Sequence, residues 1–299
     1  MKPNGGSEIL HGNLLRYTQG LDWTNTVNLI LSVCSENRLN SHIPNIVWQH
    51  LNSNEEVTNG MQNASFVDKI SQFIYVSDWQ MQVFSQKYSI PLDRSQVIHN
   101  AIDPIEYQEK SRNGKLRLIY TSTPWRGLDV LLDAFKILNR DDIELDVYSS
   151  TVIYGKEFLK NKFDWLYDKC RATKNVNYRG YALNKAVRKA VQSAHIFAYP
   201  NTFEETSCLS AIEAGAAGCR IVTTDHGALT ETCGDYAVYV NYNPDRLQLA
   251  EEYASILDRE IDNYWITYPT LRAQSEYFNT EYSWENRKNE WVTLFGKYE

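Results

Sequence analysis

Two acids stand out first. Glu205 and Glu213, with seven residues between them, lie in Pro200-Asn201-Thr202-Phe203-Glu204-Glu205-Thr206-Ser207-Cys208-Leu209-Ser210-Ala211-Ile212-Glu213-Ala214-Gly215-Ala216-Ala217-Gly218. This run follows the apolar segment Ile196–Tyr199 and is rich in helix formers, so a strand is expected to feed a helix. Thr206 and Ser207 are the cap candidates, and Gly218 stops the helix before the next strand. A helix N-terminus at the end of a strand offers free backbone N–H groups and a positive dipole, which suit phosphate or sugar hydroxyls. Glu205 falls just before the helix and Glu213 about two turns inside it, so each can accept hydrogen bonds from a different part of one extended ligand. A capped, amphipathic surface helix with two acids fits the same local pattern. The small residues from Ala214 to Gly218 favour the binding alternative, because they let a helix pack closely beside a bound group.

Two further features carry weaker local signals. His50 ends the strand-like Ile46-Val47-Trp48-Gln49; a lone histidine more often caps or packs, and only its strand-end position favours a functional role. Gly5-Gly6 alone reads as a turn.

The elements that must position these residues follow from periodicity. Val27–Cys34, Ile43–Trp48, Phe73–Ser77, Leu116–Ser122, Ile143–Ser149, Ile196–Tyr199 and Arg220–Thr224 read as buried strands. Leu128, Leu131, Leu132, Phe135 and Leu138 make one apolar stripe on a helix. Strands separated by helices predict βαβ units and parallel sheets, whose ligands bind at the C-terminal strand ends. A boundary is expected around Asn100–Lys115, where Pro, Asp and charged residues replace the apolar runs. In the last stretch, Trp291 and Phe295 are spaced to share a helical face with Trp284 nearby.

Composition narrows the function classes. The chain has 299 residues and a formal net charge of −7, which disfavours a nucleic-acid groove or a polybasic anchor. The positive stretch Lys110–Arg117 reads as a solvated linker. No segment reaches the ~20 apolar residues of a membrane span, and no signal peptide is evident. Cys34, Cys170, Cys208, Cys219 and Cys233 are odd in number and never form C-x-x-C, which argues against a disulfide framework or structural zinc and favours a cytoplasmic setting. Asn63-Ala64-Ser65 is a short pattern expected by chance.

The motifs in their order resemble glycosyltransferase family 4, retaining enzymes of the GT-B fold. Glu205 and Glu213 match its paired glutamates, with Ala214 and Gly218 in register. Val76-Ser77-Asp78-Trp79 resembles its Ser-rich strand end, and Val97-Ile98-His99-Asn100-Ala101-Ile102-Asp103 its V-I-x-N-G-V-D, with Ala for Gly. Tyr120-Thr121-Ser122-Thr123-Pro124-Trp125-Arg126-Gly127 resembles the segment ending in Lys-Gly or Arg-Gly. Val176–Tyr181 and Thr224–Glu231 resemble the strand before the base pocket and the loop after a later strand. Gly5-Gly6-Ser7-Glu8 is similar to the glycine loop.

The resemblance implies two Rossmann-like α/β domains with parallel sheets facing across a cleft. The first, residues 1–103, is reduced and on the acceptor side; residues 104–281 bind the donor, and a crossover helix at 282–299 returns to the first. It implies that Glu213 binds ribose, Glu205 lies beside the donor sugar, Arg126 meets the diphosphate with the amides of Thr206 and Ser207, and Tyr181 faces the base. His50 matches a histidine near the reacting sugar. Gly5, Gly6, Ser77, Asn100, Ser122, Thr123, Gly127, Cys208 and Leu209 complete the expected donor site. Thr123 stands where related sequences often carry Arg. The short first half is that of a compact member, like those some large algal viruses encode, or of a truncated chain. The expected partners are a nucleoside-diphosphate sugar, with UDP-glucose or GDP-mannose as first candidates, and a glycan or small-molecule acceptor, with no cofactor and no metal. A non-catalytic nucleotide- or glycan-binding relative and a GT-B sugar epimerase are the alternatives.

Overall fold

The computed structural model describes residues 5–155 and 157–298. The apolar runs become two sheets in which every ladder is parallel. Strands β1 (Asn28–Leu31), β2 (Asn45–Trp48), β3 (Ile70–Tyr75) and β4 (Ser95–Val97) lie side by side in chain order. The second sheet holds β5 (Leu116–Tyr120), β6 (Ile143–Val147), β7 (Val176–Tyr178), β8 (Ile196–Tyr199), β9 (Arg220–Thr224) and β10 (Ala237–Val240), in the order β10-β9-β8-β5-β6-β7. Its chain winds outward from β5 through β6 to β7, then restarts on the other side with β8. The order reverses between β5 and β8, and a crevice opens at such a point beyond the strand ends. β2 and β8 are buried at every residue, as covered parallel strands require.

The longer helices are α1 (Gly6–Tyr17), α2 (Asp78–Tyr88), α3 (Leu128–Leu138), α4 (Asp164–Ala172), α5 (Asn184–Ser193), α6 (Leu209–Ala216), α7 (Arg246–Asp262), α8 (Leu271–Glu281) and α9 (Trp284–Phe295). The α3 stripe buries Leu128, Leu131, Leu132 and Phe135 against the larger sheet and α7. None of the described helices is long and apolar enough to cross a membrane.

After α8 the chain returns to the smaller sheet. There Ile102 N donates to Tyr282 O at 2.7 Å and Trp284 N to Ile102 O at 3.3 Å, so the outgoing and returning segments pair. α9 then packs on α1 and the smaller sheet. Trp284 stacks on Tyr17 at 5.7 Å, Trp291 meets Trp48 edge-on at 4.5 Å, and Phe295 stacks on Trp23 at 4.4 Å. Burying each such ring contributes roughly 2 kcal/mol.

Two sequence expectations need correction. Lys110 is not solvated: it is 6% exposed, and its Nζ donates to Gln192 O at 2.7 Å and Ala217 O at 2.9 Å. Burial lowers its pKa, and the two carbonyls make the site tolerable for the ammonium. Thr206 and Ser207 do not cap α6; the helix starts at Leu209 with Cys208 at the cap position and no side-chain cap bond.

Candidate active site

A cleft of about 720 Å³ lies where the C-terminal strand ends of the two sheets meet. The larger sheet contributes Thr121–Thr123 after β5, Ser149 after β6, Tyr181 after β7 and Glu205–Leu209 after β8. The smaller sheet contributes Ser32 after β1, His50 after β2 and Asn100 after β4, while Gly6 opens α1. A Cβ on Gly6 would come within 3.1 Å of Leu209 Cδ1, so the start of α1 touches the start of α6 across the cleft.

Glu205 is the most confined acid in this wall, only 2% exposed. Arg126 Nη1 donates to its Oε1 at 2.8 Å and its Oε2 at 3.1 Å, and Tyr199 OH also donates to Oε1. Burial is the largest single influence and works against the Arg126 cation, but Glu205 together with Tyr199, Tyr154 and Cys208 outweighs it, and the net pKa shift is upward. The guanidinium also lies over Phe203, 4.5 Å from the ring centroid, and its Nε is buried with no protein partner. Two glycines allow this construction. Gly127 has φ +93°, and a Cβ there would fall 1.9 Å from Pro200 O. Gly227 has φ +69°, and a Cβ there would fall 2.5 Å from Glu205 N and O. Any side chain at either position would drive the loops apart.

Glu213 projects from α6. Its Oε1 accepts from Arg188 Nη1 at 2.9 Å, and burial raises its pKa while Arg188 opposes the rise. Cys208, at the cap of α6, is no thiolate: burial pushes its pKa well up despite the nearby helix N-terminus.

The strand ends of the opposite wall present neutral groups, His50 and Asn100. The His50 ring packs against Trp48 at 4.4 Å, and neither ring nitrogen has a protein partner. Burial, with a smaller contribution from His11, lowers its pKa to about 3, so the imidazole is uncharged. Asn100 Oδ1, Thr123 Oγ1 and Ser149 Oγ are likewise buried and unpartnered. Orphaned polar atoms in a protein interior are costly, and their concentration around one cleft marks it as a ligand site.

Hydrogen bonds tie the walls together on both sides of Glu205. Asn52 Nδ2 donates to Glu204 O at 3.1 Å, Asn54 Nδ2 to Glu204 Oε2 at 3.2 Å, and Thr206 Oγ1 to His50 O at 2.7 Å. Farther away, Glu231 accepts from Asp78 N at 2.8 Å and Trp79 N at 2.9 Å, at the start of α2, with His99 Nε2 3.1 Å off. Burial tends to raise the Glu231 pKa, but these bonds outweigh it and the shift is downward. Asp78, His99 and Glu231 are grouped closely enough to hold a metal ion, yet both Glu231 oxygens already serve the helix amides.

Of the residues expected from sequence, His50, Gly6, Asn100, Ser122, Thr123, Arg126, Tyr181, Thr206, Ser207, Cys208, Leu209, Glu205 and Glu213 line this cleft. Three lie off its wall. Ser77 caps α2 by accepting from Gln80 N at 3.0 Å, Gly127 packs on Pro200, and Gly5 packs beside Tyr154. Sequence reasoning missed Glu8, Ser149, Tyr154, Asn184 and Arg188, all on the wall. The β6 strand end could have pointed to Ser149; no local signal marks Arg188.

Known proteins share this fold. No curated protein matches the sequence. By structure, the chain is similar to Anabaena HepE solved in complex with UDP-glucose, with a TM-score of 0.68 and 14% identity over 85% of this chain and 72% of that one. A glycosyltransferase from Rickettsia africae aligns with a TM-score of 0.70 and 14% identity over 99% and 83%. The pneumococcal O-GlcNAc transferase GtfA, in complex with UDP and GlcNAc, aligns at 0.62 and 14% over 98% and 60%. These likenesses establish the fold as GT-B. The family model described as glycosyl transferases group 1 matches residues 106–270, more than half the chain, and spans β5 to β10 with both glutamates; the protein belongs to that family of sugar-transferring enzymes.

Proposed function

We propose that the protein transfers a hexose from a nucleoside-diphosphate sugar to a hydroxyl of a glycan or other acceptor, with retained anomeric configuration and without a metal ion. One observation carries this: Glu205, Arg126 and Glu213 line the same cleft as the unpartnered polar atoms of His50, Asn100, Thr123 and Ser149. Glu213 binds the ribose, and the Tyr181 loop faces the base. Arg126 and the first amides of α6 take the diphosphate, where a fixed positive field stabilises the charge of the leaving group. Thr123 leaves Arg126 as the cation closest to that position in sequence, and its Nε is still free to donate.

Glu205 is held on both oxygens by Arg126 and on one by Tyr199, which suits an electrostatic role beside the sugar better than nucleophilic attack. The acceptor hydroxyl then attacks from the face the diphosphate leaves, and its proton passes to the departing phosphate oxygen. His50, neutral, offers hydrogen bonds to the sugar or acceptor. Metal independence rests on the lack of an Asp-x-Asp pair at a strand end in the sequence.

Thermal unfolding with UDP, GDP, ADP and their sugar conjugates, run in chelator, tests this. One nucleotide is expected to raise the melting temperature by mass action, and its sugar conjugate to be turned over on adding acceptors. No rise at millimolar ligand would overturn the donor site. Binding without turnover in any acceptor series would favour a non-catalytic relative, and sugar conversion without acceptor an epimerase. Activity abolished by chelator and restored by Mg²⁺ would refute metal independence.

A further inference from the structure

Arg188 has no place in the motifs that mark the donor site, yet it stands on the cleft wall beside Glu213. It projects from α5, one turn beyond Asn184, which also lines the cleft. Its guanidinium makes three hydrogen bonds, from both terminal nitrogens. Nη1 donates to Glu213 Oε1 at 2.9 Å, while Nη2 donates to Asp103 O at 2.6 Å and Pro104 O at 3.0 Å. These two carbonyls belong to the segment that leaves the smaller sheet, just after the pairing of Ile102 with the returning chain. The side chain is only 20% exposed and that of Glu213 14%, so the pair is shielded from bulk water.

Such a clamp has a directional consequence. A carboxylate has two oxygens, and here one is taken by a guanidinium that is itself fixed at two backbone points. Asn184, one turn earlier on α5, adds a weaker side-chain contact to the same carboxylate. Rotation of the carboxylate about its last bond is therefore restrained, on a side chain that lines the cleft. Without Arg188, burial would favour the protonated acid, a poorer acceptor for hydroxyls.

We propose that Arg188 is a positioning residue for nucleotide recognition: it fixes Glu213 so that the carboxylate accepts from the ribose hydroxyls, and thereby sets the preference for ribonucleotide over 2′-deoxyribonucleotide donors. The inference rests on the assignment of Glu213 to the ribose. Arg188 does not itself touch the reacting sugar.

The test compares binding of UDP with dUDP, or of GDP and ADP with their 2′-deoxy counterparts if one of those is the nucleotide bound. Calorimetry is run on the intact wild type, Arg188→Met, Arg188→Lys and Glu213→Gln. Wild type is expected to prefer the ribonucleotide by roughly 10- to 100-fold, the range of a hydrogen bond to a charged group. Arg188→Met should weaken ribonucleotide binding until the preference is under about threefold, leaving deoxynucleotide affinity unchanged. Arg188→Lys, which keeps the charge but not the fork, should restore part of it.

Equal weakening of both nucleotides in Arg188→Met and Arg188→Lys would mean a merely structural role and overturn the proposal. So would an intact preference in either. If Glu213→Gln loses the preference while both Arg188 variants keep it, the ribose assignment stands and only the role of Arg188 falls. If Glu213→Gln keeps the preference, the ribose assignment falls with it.

Discussion

The two walls of the cleft are built on opposite plans. On the larger sheet each cation is matched to an acid, Arg126 to Glu205 and Arg188 to Glu213, and each pair is anchored a second time, by Tyr199 or by the carbonyls of Asp103 and Pro104. On the smaller-sheet side no cation is paired with an acid in this way: His50, with its pKa lowered to about 3, Asn100 and the backbone of Gly6 are neutral, and Glu8 is the acid of α1 on the wall. The first wall is stiff and pre-charged, which is what stabilising a leaving group demands, because dipoles set in advance need no reorganisation. The second recognises by hydrogen bonding and shape, and its own integrity depends on aromatic packing beneath it.

Four experiments would break or sharpen that contrast. Removing the charged clamp should hurt most: Arg126→Ala is expected to lower kcat by roughly 10³-fold, about 4 kcal/mol, with a folded protein by circular dichroism. A loss under tenfold would mean that the charged wall is not where leaving-group stabilisation lies. Next comes the packing under the second wall. Trp291 is fully buried against Trp48 and Phe295, and Trp291→Ala should cost about 3 kcal/mol in urea unfolding. A shift below 1 kcal/mol would show that α9 is not what supports this wall.

The third effect concerns His50. Unfolded, it takes up a proton near 6.5, but folded only near 3, so its contribution is fully present above pH 6.5 and is lost as the pH falls toward 3. Between pH 7 and 5 the wild type should lose about 2 kcal/mol more stability than His50→Gln. Parallel pH profiles for the two proteins would show that His50 is not held neutral. The smallest effect is at the far tie between the walls. Glu231→Ala removes the acceptor for Asp78 N and Trp79 N and should cost about 1 kcal/mol, read as a lower unfolding midpoint. No change would mean that water replaces that carboxylate without loss.

The same contrast explains what could be read from the sequence. The β8–α6 unit was legible because strand, acid, helix and second acid are contiguous and obey local rules. β1, β2, β5, β6, β8 and β9 announce themselves as apolar runs. β4 has only Ser95, Gln96 and Val97 and carries no run, while the apolar Ala237–Val240 of β10 is too short and too half-buried to be told from a helix segment by pattern alone. Lys110 read as solvated because its two carbonyl partners come from the ends of α5 and α6, far along the chain. Arg188 was invisible for the same reason: its meaning lies in Glu213, Asp103 and Pro104, which only the tertiary fold brings to it.

One feature of the chain path bears on mechanics. The polypeptide passes between the two sheets twice, and the two passages are bonded to each other through Ile102, Tyr282 and Trp284. Two crossings set apart would act as separate pins and lock the halves. Bonded here and again between Ile105 and Asn279, they form one joined crossing about which the halves can swing. The ties at Glu204 and Thr206 lie on the swinging side and Arg188 grips the chain beside the pivot itself. An opening of the cleft that broke those loop ties would therefore displace the Arg188–Glu213 pair least, because it is anchored beside the joined crossings.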